Sequence, residues 1–66
     1  MTLKELRERA GWTQRDLANM LDCDAVTVSR WERGLHKPSA DYMALLEAVV
    51  GNGFAELEWT KGEGGA

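Results

Sequence analysis

The sequence predicts an all-α fold, four or five short helices packed as one compact domain. Three observations carry that prediction. Helix start signals recur along the chain, at Thr2 with Glu5, Thr13 with Asp16, Asp24 and Ser39; each supplies an oxygen that can accept from an orphan N–H of a first turn. Glycines stand where the matching helices should stop, at Gly11, Gly34 and Gly51, because a left-handed backbone is cheap there. Between starts and stops the apolar residues mostly recur at three- and four-residue spacing. A chain of 66 residues makes one domain and buries only about 60% of its unfolded surface, so its stability is modest unless it pairs.

The first helix is expected from Leu3 to Ala10, opened by the Thr2/Glu5 capping box with Met1 and Leu6 as a hydrophobic staple. The second runs from Gln14 to Leu21 behind Thr13 and Asp16, stapled by Trp12 and Leu17; Leu17, Ala18 and Leu21 form its apolar stripe. The third, Ala25 to Arg33, follows Asp24 and turns Val28 and Trp31 inward, with Cys23 and Val28 as its staple. Ser39 opens the fourth, Ala40 to Val50, with Pro38 opposite Met43; its buried stripe is expected to be Tyr42, Leu45, Leu46 and Val49 at i, i+3, i+4 and i+7. After Gly51-Asn52-Gly53 the stretch Phe54 to Thr60 alternates, with Ala55, Leu57 and Trp59 on one side and Glu56, Glu58 and Thr60 on the other. That is the period of a half-buried strand, and a short fifth helix is equally compatible with its length. Phe54, Leu57 and Trp59 are too much apolar surface to leave bare on a small domain, so they close the core or form a dimer interface. The expected organisation is residues 1–51 as the main domain, 52–60 as a dimerisation or core-closing segment, and 61–66 as a disordered tail.

Thr13 to Gly34 forms two short helices joined by a tight turn, with a polar outer face on the second. That layout suits a helix that enters the DNA major groove. Thr13-Gln14, Leu17-Ala18, Leu21, Val28-Ser29-Arg30-Trp31-Glu32-Arg33-Gly34 and Pro38 carry a resemblance to the Cro/CI-type (lambda repressor-like, or XRE) helix-turn-helix family. The resemblance extends from Leu6 to about Val50. It implies a lambda repressor-like DNA-binding domain over residues 1–51. One residue departs from the pattern: the turn begins with Asp22 where the family usually has glycine. Aspartate tolerates positive φ better than most residues, so the turn survives with some strain.

The outward face of the third helix is read as Ala25, Val26, Ser29, Arg30 and Arg33. Ala25 and Val26 lie at the end that enters the groove deepest, where small apolar surfaces suit thymine methyls. Arg30 can fork onto guanine O6 and N7, and Ser29 can pair with several bases. Phosphate contacts are expected from Gln14, Arg15, Thr27, Arg33, His36 and Lys37. The family resemblance also implies that Gln14 steadies the first residue of the reading helix, and that Glu32 pairs with Arg7 as a partly buried strut. Trp31 and Trp12 are assigned to packing.

Charge is uneven along the chain. Through Pro38 seven bases face six acids, whereas from Ser39 onward Lys61 alone faces five acids, which yields the net −3. The acid therefore lies away from the proposed reader, and a weakly basic face can still bind DNA through a few phosphate contacts. The single cysteine, Cys23, has no partner for an internal disulfide or a zinc site. No acid–base or nucleophile constellation is present, so no catalytic residue, metal or cofactor is expected. Apolar runs are too short to span a bilayer and the acidic N-terminal residues do not suit a signal peptide, which points to the cytoplasm and its nucleoid. The reading is a dimeric Cro-like repressor, an autorepressor of a phage or mobile-element operon, bound to an inverted-repeat operator in double-stranded DNA. The alternative is an antitoxin-type module that caps a partner protein and autoregulates its operon.

Overall fold

Each of the four expected helices forms, ending within one residue of its expected limit. In the computed structural model, which describes residues 1–59, they are α1 Leu3–Arg9, α2 Gln14–Met20, α3 Ala25–Glu32 and α4 Ala40–Val50, followed by a 3-10 helix at Gly51–Glu56. The limits hold because the caps are local. Thr2 Oγ1 accepts from the Glu5 N–H at 3.2 Å while Glu5 Oε1 accepts from the Thr2 N–H at 3.0 Å. Thr13 and Asp16 repeat the exchange at 3.0 and 2.9 Å, and Ser39 Oγ accepts from the Tyr42 N–H. Asp24 takes the extended N-cap backbone but makes no side-chain cap bond.

Three helix exits share one geometry. After α1 the Trp12 N–H donates to the Arg7 carbonyl and the Gly11 N–H to Glu8; after α3 the Leu35 N–H donates to Arg30 and the Gly34 N–H to Trp31. This double closure is the Schellman arrangement, with a left-handed residue at its centre. The same closure ends α2, where Cys23 and Asp22 donate to Ala18 and Asn19. Its left-handed residue is Asp22, at φ 55°. The turn thus keeps the expected shape without glycine.

Leu3, Leu17, Ala18, Leu21, Val28, Trp31 and Leu46 form the buried centre. α2 packs on α3, α1 reaches α3, and α4 packs on the 3-10 helix. Trp31 meets Tyr42 of α4 with ring centroids 5.3 Å apart and planes tilted by 60°. One expectation for α4 fails: Leu45, placed in its buried stripe, is 45% exposed, whereas Leu46 is fully buried and Tyr42 and Val49 pack at the core's edge. Two adjacent residues on a helix diverge by about 100°, and α4 is turned so that Leu46 faces the core while Leu45 lies at the solvent edge.

The tail forms no strand among the described residues, and its helical part lies earlier than the alternating stretch Phe54 to Thr60 suggested. Its 3-10 helix ends at Glu56, after which Glu58 forms an isolated parallel bridge with Thr2, its N–H donating to the Met1 carbonyl at 2.7 Å. Phe54, Leu57 and Trp59 are partly buried against the core. Gly53 permits the return: a Cβ there would lie 2.8 Å from Leu6 Cδ1. Thr60 and the expected disordered tail at 61–66 lie outside the described residues. No helix among the described residues is long and apolar enough to cross a membrane.

Candidate nucleic-acid interface

Glu32, the last residue of α3, ties that helix to α1 and α2. Its carboxylate receives Arg7 Nε at 2.6 Å on Oε2, and Arg7 Nη2 at 3.3 Å on Oε1. Gln14 Nε2 donates to the same Oε1 at 3.0 Å. Arg7 Nη1 donates to the Trp12 carbonyl at 2.7 Å, so three elements and the α1–α2 turn meet at one buried polar knot. The Arg7 and Glu32 side chains keep only 10% and 5% of their exposure. The hydrogen bonds to Glu32, against the opposing effect of burial, push the Arg7 guanidinium above its ordinary pKa. Arg7 therefore stays charged and faces the Glu32 carboxylate across this pair.

The expected Arg7–Glu32 strut is thus present. Gln14 behaves differently from the expectation that it steadies the start of the reading helix: the bond it makes runs to the helix's last residue. The spare lone pairs of a carboxylate facing one arginine are the signal for such a third partner. One amide N–H of Gln14 is committed there. The bond also fixes where neighbouring charges stand. Arg15 follows Gln14 and Arg33 follows Glu32, so both exposed arginines flank the same junction between the start of α2 and the end of α3.

Along α3 the outward set is narrower than expected. Val26 is 58% exposed and Arg30 and Arg33 are exposed, while Thr27 and Ser29 are half-buried. Ala25 is partly buried with its methyl packed against the core, which leaves it less to offer a base. His36 and Lys37 are exposed in the connection to α4. Cys23 is a half-buried packing residue; burial first, then the Asp24 and Asp22 carboxylates, push its thiol pKa up. Among the described residues no group of His, Cys, Asp and Glu could hold a metal ion.

The arrangement is a short helix held rigidly at its far end, with an apolar tip, an arginine at mid-face and flanking cations. A helix of this size fits within the width of a DNA major groove. A family model described as helix-turn-helix matches residues 3–57. The chain belongs to this family. Within it, the chain is a helix-turn-helix DNA-binding protein of the Cro/CI (XRE) type, with α2 and α3 as the two helices of the motif. No curated protein and no solved structure gives a match. The helix-turn-helix family is one of DNA-binding regulators and is not typically enzymatic.

Proposed function

We propose that this helix-turn-helix protein is a sequence-specific transcriptional regulator, a Cro-like repressor that binds an inverted-repeat operator as a homodimer. Its base contacts are Val26, Ser29 and Arg30, with Ala25 at the margin. Its phosphate contacts are Gln14, Arg15, Thr27, Arg33, His36 and Lys37. The observation that carries the reading is the Arg7–Glu32–Gln14 knot, which fixes α3 from behind and leaves Val26 and Arg30 facing outward. Autorepression of a phage or mobile-element operon in the cytoplasm follows from the family resemblance alone.

Dimerisation answers an energetic need. One α3 reads only a few base pairs, too few to stand out against genomic competitors, whereas a two-fold pair doubles the site. Phe54, Leu57 and Trp59 supply the interface with the smaller part of their surface that the core leaves uncovered. Selection of duplexes from a random DNA library tests the reading. The expected product is an inverted repeat whose half-sites lie about 34 Å apart, one turn of the duplex. A pool with no enriched sequence contradicts it.

A further inference from the structure

Val26 is the most exposed large apolar side chain among the described residues, 58% accessible at the second position of α3. It contributes little to the core, and a β-branched residue on a solvated helix surface gains nothing in helix propensity. Its surroundings exclude a phosphate role. From Asn19 to Ser29 the chain has no lysine or arginine, and Asp22 and Asp24 stand exposed before it. Asp24 makes no side-chain cap bond at this leading end of the helix. With two carboxylates just before it and no cation close to it in sequence, the Val26 side chain can gain from DNA only through an apolar contact with a base edge. Ala25, the other small apolar residue there, is drawn onto the core.

We infer that Val26 reads the C5 methyl of a pyrimidine, and that 5-methylcytosine can therefore replace thymine at that position, making binding responsive to cytosine methylation. The inference rests on the DNA-reading function proposed above. In the major groove thymine is marked by its C5 methyl. Cytosine carries a hydrogen at the same ring carbon, and methylation restores the group. The apolar contact senses the methyl and is indifferent to which pyrimidine bears it.

The test starts from a duplex enriched by the wild-type chain, resynthesised with deoxyuridine replacing each thymine in turn. One thymine in each half-site should cost about fourfold in affinity on losing its methyl, the worth of a small buried apolar group. At that position a 5-methylcytosine–guanine pair should bind about fourfold more tightly than cytosine–guanine. Both effects should shrink below about 1.5-fold in Val26→Ala, since the remaining methyl no longer reaches the base. Val26→Ala changes an exposed position, and an unchanged helical circular dichroism spectrum verifies its fold. An enriched duplex indifferent to every deoxyuridine, or a loss undiminished in Val26→Ala, overturns the role of Val26 while leaving DNA reading intact. Failure to enrich any duplex overturns both.

Discussion

Arg7 and Glu32 form a two-pronged ion pair across 25 residues of sequence, with Nε to Oε2 at 2.6 Å and Nη2 to Oε1 at 3.3 Å. It connects α1 to the end of the reading helix and is almost closed to solvent. An exposed pair would contribute under about 1 kcal/mol. Buried as it is, removal of one partner strands a charge and costs about 3–5 kcal/mol, comparable with the whole stability of so small a domain. Arg7→Ala and Glu32→Ala should each lower the urea midpoint sharply. Arg7→Met with Glu32→Leu should recover much of the loss, because no charge is left stranded. Additive losses across the pair would show that the two side chains are not coupled.

Asp22 holds a left-handed backbone between α2 and α3, at φ 55°. A non-glycine residue there carries up to about 1–2 kcal/mol of strain, which aspartate partly relieves. Asp22→Gly should therefore raise stability by about 0.5–1 kcal/mol in denaturant titrations. Asp22→Val should lower it. A destabilised glycine variant would mean that the carboxylate makes a contact more valuable than the strain.

Acid should weaken the first helix through Glu5. Hydrogen bonds from the Thr2 backbone N–H and then the Thr2 hydroxyl hold the Glu5 carboxyl below its ordinary pKa. A depressed folded pKa stabilises the fold above the unfolded pKa, and the contribution is lost as pH falls through the folded value. The melting-temperature gap between the native chain and Glu5→Gln should be open at neutral pH and should narrow as the pH falls below the ordinary carboxylate range. A gap that widens in acid would reverse the assignment.

The tail serves both the core and the proposed dimer, and concentration separates the two. Leu57→Ala removes a half-buried side chain packed on the core; it should lower the melting temperature by a part that is independent of concentration. A dimer contribution adds a part that depends on it, through mass action. A variant whose melting matches the native chain at every concentration would remove Leu57 from both roles.

Helix limits are legible in this sequence because caps and Schellman exits are decided within a few residues, as at Thr2, Thr13, Gly11 and Gly34. The inward residues Leu17, Ala18, Leu21, Val28 and Trp31 are legible for the same reason. The side-chain partner of Gln14 is not, because position at the start of a helix says nothing about which distant carboxylate has a lone pair to spare. Leu45 and Ala25 show the other gap. Periodicity reports a helix's apolar side only to within the width of that side, and the rotation of the helix against its neighbours decides which flanking residue is covered. The tail's return to Thr2 brings Gly53 against the Leu6 side chain, a contact between distant parts of the chain that no local pattern announces.

Whether α3 reads base sequence through Arg30 is decided by a paired titration at fixed salt. The native chain and Arg30→Ala are each titrated against an enriched operator duplex and against a scrambled duplex of equal length. The native chain should favour the operator by at least about 1,000-fold. Arg30→Ala should lose about 1–3 kcal/mol on the operator, with relaxed preference at one base pair of each half-site and little change on the scrambled duplex. Equal weakening on both duplexes would make Arg30 a phosphate contact and contradict the account.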